Sequence, residues 1–250
     1  MIELHHGDCL EIMKSLSDNS IDLILTDPPY YSTDLHFDKE PRLDFEYWLK
    51  ECRRVLTPTG ILISFADFNL LAELRGLSPF KSTYELIWEK TMAVGFLDAN
   101  LRPLRNHEFI GIFTDAFKLS TYNPQKTKGV KYSVVSGKKN GHYSGDKSTL
   151  TINNGDRHPT SVLKFSNNNN GSLHPTQKPL DLVSWLIRTY SNESNIILDC
   201  FMGSGTTGEA CIKLKREFIG IEKDNAYFSI AKARIEHAQH DLEVLFGEAI

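Results

Sequence analysis

The stretch Ile196-Ile197-Leu198-Asp199-Cys200-Phe201-Met202-Gly203-Ser204-Gly205-Thr206-Thr207-Gly208 constrains the fold most. It reads as a buried strand with an acid at its tip, then a glycine-rich turn that opens a helix. A unit of this kind normally starts a doubly wound sheet, yet here it stands close to the end of 250 residues. Behind it remain one strand, Glu217-Phe218-Ile219-Gly220-Ile221, ending in Glu222, and one helix carrying Ala226, Tyr227, Ile230, Ala231 and Ile235. The other strands must therefore lie N-terminal to it, which makes the chain an α/β protein with its nucleotide-type half placed last.

The N-terminal half supplies them. Ile2-Glu3-Leu4-His5-His6 reads as a strand running into Gly7, Asp8 and Cys9, followed by a short amphipathic helix on Leu10, Ile12, Met13 and Leu16. Further strands are predicted at 21–26, 61–65, 84–88 and 107–113, with helices on the apolar faces of Phe45 to Leu56 and of Leu70, Leu71 and Leu74. The apolar run at 21–26 ends in Asp27-Pro28-Pro29-Tyr30. Two prolines in succession fix two φ angles, so Asp27 and Tyr30 are held in set directions at the carboxyl edge of the sheet, where open α/β sheets bind ligands. An acid, the Pro28 carbonyl and an aromatic face suit a flat ring bearing an exocyclic amine. Asp8, at the same edge, fits a helix cap as well as a ligand contact.

Composition is ordinary for a globular chain, with 40% hydrophobic and 24% charged residues and a net charge of −4. Residues 115–173 depart from it. Lys118, Lys126, Lys128, Lys131, Lys138, Lys139, Lys147 and Arg157 are interleaved there with Tyr122, Tyr132 and Tyr143, a pattern that fits phosphates and bases. A solvated lysine-rich loop has the same composition. The polar stretch 31–42 reads as a mobile lid, and residues 241–250 as a tail. Cys9, Cys52, Cys200 and Cys211 have neither disulfide nor zinc-ligand spacing and are expected in the core, with no metal site. The N-terminus lacks the regions of a signal peptide and no apolar run approaches the roughly 20 residues of a membrane span, so no membrane association and a cytoplasmic location are expected.

Gly203-x-Gly205-x-x-Gly208 with Glu222 also satisfies the dinucleotide fingerprint, and alone it fits a dinucleotide-dependent oxidoreductase equally well. The motifs together are more specific. In chain order, D-P-P-Y at 27–30, the basic insertion, H-P-T-Q-K-P at 174–179, D-x-F-x-G-x-G-T-T at 199–207 and the G-I-E strand end at 220–222 resemble the β-group of amino-methylating DNA methyltransferases. The resemblance implies a Rossmann-like S-adenosyl-L-methionine-dependent methyltransferase fold, circularly permuted, with a mixed seven-stranded sheet and helices on both faces. It divides the chain into a catalytic half at 1–114, a target-recognition insertion at 115–173, a cofactor half at 174–240 and the tail.

It further implies methyl transfer to adenine N6 in double-stranded DNA, with Asp27, Pro28, Pro29 and Tyr30 catalytic. Cytosine N4 is the alternative, although for that substrate the family tends to carry serine where Asp27 stands. The cofactor's methionine part would meet Asp199, Phe201, Gly203, Ser204, Gly205 and Thr206, its ribose Glu222, its adenine Asp8 and Cys9, and its carboxylate Lys178, with Asp27 adjoining. The eight basic residues of the insertion would contact DNA. A homodimer and a cognate restriction endonuclease are candidate partners by the same resemblance.

Overall fold

The computed structural model describes residues 1–31, 41–118, 120–136, 149–167 and 177–247. It contains two compact units, one of Met1–Asn123 with Ser161–Ile250 and one of Pro124–Thr160.

In the first unit β1 (Ile2–His6) leads through α1 (Cys9–Met13) to β2 (Ile21–Thr26). Then α2 (Phe45–Val55) buries Phe45, Trp48, Leu49, Cys52 and Val55, the helical spacing of its apolar residues, and starts on Asp44, whose carboxylate accepts from the Tyr47 amide at 2.9 Å. The chain continues through β3 (Leu56–Ala66), α3 (Phe68–Leu77), β4 (Ser82–Val94) and β5 (Arg105–Thr114).

In the second unit, β6 (Thr127–Lys128) pairs antiparallel with β9 (Asp156–Arg157), and β7 (Tyr132–Ser136) with β8 (Thr149–Asn153). The first unit resumes with β10 (Val162–Phe165), α4 (Leu180–Tyr190), β11 (Ile196–Asp199), α5 (Thr206–Lys213), β12 (Glu217–Glu222) and α6 (Asn225–Phe246). Residues 241–246, expected in a tail, are the last turns of α6.

The main sheet has the order β1-β12-β11-β2-β3-β5-β4-β10. All neighbours are parallel except that β5 runs against both β3 and β4. It has eight strands where seven were expected. The eighth is β10, an edge strand inside the basic segment. Only Leu163 of its four residues is buried, a pattern too short to stand out among polar neighbours.

One core, formed with residues of α4, α5 and α6, covers one face of the sheet; a second, formed with residues of α1, α2 and α3, covers the other. From β11 the chain turns onto the first face, and from the adjacent β2 onto the second. This divergence opens a crevice at the carboxyl ends of β11 and β2, the usual ligand position in such sheets. Among the described residues no helix is long and apolar enough to cross a membrane.

Candidate active site at the switch point of the sheet

The two strand tips are tied together. Thr26 Oγ1 donates to Asp199 Oδ1 at 2.8 Å, Thr207 Oγ1 to Asp199 Oδ2 at 2.6 Å and the Phe201 amide to Oδ1 at 3.1 Å. Asp199 is buried, and its carboxylate braces the glycine turn against β2. Burial pushes its carboxyl up to about 6, although the two threonine hydroxyls and the amide pull it down. A folded-state value above the unfolded one means that the folded chain holds this proton more tightly. The associated stability is full below about pH 4 and is lost as pH rises through about 6, roughly 2 to 3 kcal/mol in all. The Asp199 carboxyl carbon should titrate near pH 6 by NMR, and Asp199→Asn should remove that component from the pH dependence of unfolding.

At the tip of β2, Asp27 is half-buried. The Tyr30 hydroxyl donates to its Oδ1 at 2.8 Å and Lys178 Nζ to its Oδ2 at 2.6 Å. Lys178, just ahead of α4, is buried; its ammonium lies 5.5 Å from the Tyr30 ring centroid, 5.1 Å from that of Phe65 and 3.6 Å from Glu108 Oε2. Glu108 Oε1 accepts from Lys90, whose ammonium stands 5.0 Å from the Trp88 ring centroid. Four charges thus alternate across the pocket wall: Asp27, Lys178, Glu108 and Lys90.

Burial raises the Asp27 carboxyl against the pull of Lys178. It also acts to raise Glu108, but Lys178 and Lys90 outweigh it and hold that carboxyl below its usual range. For Lys178 burial works against the charge, and the two carboxylates overcome it, so the ammonium stays protonated. Burial, then Asp27, keeps the Tyr30 phenol a neutral donor.

On the β11 side, Gly203 and Gly205 have φ of 51° and 79°, a left-handed turn that brings backbone close to whatever occupies the crevice. Glu222, at the end of β12, accepts from the Gly203 amide through Oε2 and from the Asp224 amide through Oε1, each at 2.8 Å. A carboxylate has about four acceptor sites, so capacity remains for further donors. Asp8 caps α1, with Oδ1 accepting from the Leu10 amide at 2.9 Å and the Glu11 amide at 3.3 Å. Ser204 Oγ meets Gln177 Oε1 at 3.1 Å, and Arg234 donates to Thr206 Oγ1 at 2.9 Å.

These groups line one cavity of about 880 Å³, which Asp8, Cys9, Asp27, Pro28, Pro29, Tyr30, Lys178, Asp199, Phe201, Gly203, Ser204, Thr206 and Glu222 all reach. Of the residues expected at the catalytic turn and cofactor site, Gly205 alone does not line it; it packs behind the turn, against α6. Phe201 both faces the cavity and packs on Trp48, ring centroids 6.0 Å apart. All four cysteines are buried. Glu108 is the residue that sequence reasoning passed over, read only as part of a strand. A glutamate in the run Glu108-Phe109-Ile110-Gly111-Ile112-Phe113 was the available signal, because a carboxylate in a buried strand calls for a partner.

The expected DNA contacts fall differently. Lys118 is exposed in the first unit, and Lys126 and Lys131 are exposed in the second. Within the second unit Lys128 pairs with Asp156 at 2.5 Å, and Arg157 donates to Asn153 Oδ1 at 2.5 Å and to the Val130 carbonyl, with its guanidinium 4.8 Å from the Tyr132 ring centroid. Arg157 is thereby spent largely on holding that unit together. Lys138, Lys139, Lys147, the motif residues 174–176 and most of the 31–42 stretch lie outside the described residues.

The chain has clear relatives among known proteins. A family model described as DNA methylase matches residues 21–233. The type II methyltransferase M.HpaI of Haemophilus parainfluenzae is 32% identical over 92% of this chain and 73% of its own length. M.HinfI of Haemophilus influenzae, also a type II methyltransferase, is 28% identical over 96% of this chain and 70% of its own length. Among solved structures, the M1.HpyAVI–SAM complex superimposes with a TM-score of 0.64 at 26% identity, covering 94% of this chain and 99% of that one. The cytosine-N4-specific PvuII DNA methyltransferase shares the fold, with a TM-score of 0.67 at 17% identity over 99% of this chain and 93% of that one.

Proposed function

This chain belongs to the DNA methylase family, and on that premise we propose that it methylates the N6 amine of adenine in double-stranded DNA. It is an S-adenosyl-L-methionine-dependent DNA methyltransferase; the target atom and the residue roles are what the site's chemistry adds. The observation that carries the reading is Asp27 at the tip of β2, half-buried, lining the cavity beside Pro28 and Tyr30. The residues fit the cofactor: a left-handed glycine turn admits close backbone approach, Glu222 suits vicinal hydroxyls and Asp8 an amine. When bound, that cofactor supplies an electrophilic methyl group on a sulfonium.

The chain's own task is to make adenine's amine a nucleophile, since its lone pair is delocalised into the ring. Asp27 and the Pro28 carbonyl each accept one amine hydrogen, which favours a pyramidal nitrogen and aims its lone pair at the methyl group. With the cofactor bound, transfer would be direct, the S–CH3 bond breaking to leave a neutral thioether, with no covalent bond to the enzyme. The methylated nitrogen is strongly acidic, and its excess proton leaves through Asp27. A base stacked in a duplex cannot enter the cavity, so the nucleotide flips out and stacks on Tyr30.

Tyr30→Ala should lower kcat/KM roughly 10- to 100-fold, since stacking on an aromatic is worth about 1 to 3 kcal/mol per base. Cofactor affinity, measured by calorimetry, should change far less. Lys126 and Lys131 are the described cations of the second unit best placed for phosphates, being exposed and without the pairing of Lys128 and Arg157. A second copy of the chain and a restriction endonuclease sharing its recognition sequence are the partners this reading implies, with the cytoplasm as its place of action.

Sequencing that reports base modification, applied to plasmid from a methylation-deficient host expressing the chain, tests the target. N6-methyladenine at one recurring sequence is expected. N4-methylcytosine would keep the fold and the cofactor and overturn the choice of base.

A further inference from the structure

In the structure Asp27 is already engaged, Oδ1 by Tyr30 and Oδ2 by Lys178 at 2.6 Å. An amine that is to donate to Asp27 would meet the Lys178 ammonium at the same oxygen. That ammonium would also stand beside a nitrogen about to become cationic, where positive charge opposes transfer. Lys178 therefore has to leave Asp27 before chemistry, and a buried ammonium cannot leave without another acceptor.

The structure holds one in place. Glu108 Oε1 is taken by Lys90, but Glu108 Oε2 is buried and, among the described residues, has no hydrogen-bond partner. It lies 3.6 Å from Lys178 Nζ, too long for a hydrogen bond and within reach of a small side-chain movement. The flexible lysine stem permits that movement with its backbone fixed.

We propose that Glu108 is a positioning residue that receives Lys178 when the target amine displaces it from Asp27. Before substrate enters, the lysine pairs with Asp27 and holds it in place. After entry it hydrogen-bonds to Glu108 Oε2, Asp27 Oδ2 is open to the amine, and the ammonium keeps its proton throughout. Lys90 fixes the far side of Glu108, so the vacant oxygen stays turned toward Lys178. The inference rests on Asp27 being the acceptor of the target amine.

A double-variant cycle tests it. Glu108→Gln should slow single-turnover methyl transfer roughly tenfold to a hundredfold, while the dissociation constants for cofactor and DNA change only a few-fold. In a Lys178→Met background, where there is no ammonium to receive, the same substitution should cost almost nothing more. An equal loss in both backgrounds, or a loss confined to binding, would overturn the hand-over.

If Glu108→Gln does not fold, a crystal structure of the wild-type chain with demethylated cofactor and duplex DNA decides. Lys178 on Glu108 with the amine on Asp27 is the expected arrangement. Lys178 still on Asp27 beside a bound amine refutes the hand-over and spares the assignment of Asp27, whereas an amine bound away from Asp27 refutes both.

Discussion

Asp27→Ala is expected to reduce methyl transfer by roughly a hundredfold to a thousandfold, the scale of losing a preorganised partner of the reacting group. Cofactor binding should stay within a few-fold, because the glycine turn and Glu222 are untouched. The protein should still fold. Lys178 keeps Glu108 as a counter-charge 3.6 Å away, so the ammonium is not left alone. Asp27→Asn refines the point: it preserves shape and one acceptor, but its amide hydrogens face the amine's own. It should lose nearly as much rate as alanine while remaining closer to wild type in thermal stability. Single-turnover kinetics with labelled cofactor, beside a melting curve and a cofactor titration, separates these effects. Substantial activity in Asp27→Ala would remove the acid from the mechanism.

Gly205→Ala should be the most damaging single-methyl addition in the cofactor half. The residue has φ of 79°, and an added Cβ would stand 3.0 Å from Cα and Cβ of Ala231 and 3.2 Å from its carbonyl oxygen. The obstacle is the backbone of α6, which cannot rotate away as a side-chain end would. Left-handed backbone costs roughly 1 to 2 kcal/mol without glycine, and overpacking adds about 1 to 3 kcal/mol. A loss of roughly 2 to 5 kcal/mol in chemical denaturation is expected. Displacement of the turn should weaken cofactor binding in the protein that remains folded. Gly208 is confined by side chains instead, since its Cβ would meet Ile235 Cδ1 at 2.4 Å and Phe218 Cε1 at 2.8 Å. Some of that clash can be relieved by rotamer change, so Gly208→Ala should cost less.

Much of this arrangement was legible in the sequence because punctuation and period coincide. The glycine turn at 203–208 follows a strand, with only one more strand after it, and that fixed the permuted order which the sheet shows. The D-P-P-Y turn could be placed at the sheet edge because two prolines end a buried strand without ambiguity. What escaped depends on contacts between distant segments. Asp199 is separated from Thr26 by 173 positions, and nothing local says that its carboxylate brace reaches across to that hydroxyl. The ion chain joins residues of β4, β5, the β2 turn and the approach to α4, so Glu108 acquires its meaning only when those elements meet. β10 is held as a strand by its register with β4, Leu163 opposite Trp88, and by the Trp88 indole donating to the Phe165 carbonyl at 3.0 Å. Its own four residues carry too little pattern to announce it.

The most direct test of adenine's amine as nucleophile is label transfer to two duplexes that carry the recognition sequence and differ only at the target base, adenine in one and purine, which lacks the exocyclic amine, in the other. The expected result is that both bind with cofactor present and only the adenine duplex takes up label, recovered as N6-methyldeoxyadenosine. Undiminished labelling of the purine duplex would mean that the methyl group goes elsewhere, and would contradict the roles given to Asp27 and Tyr30.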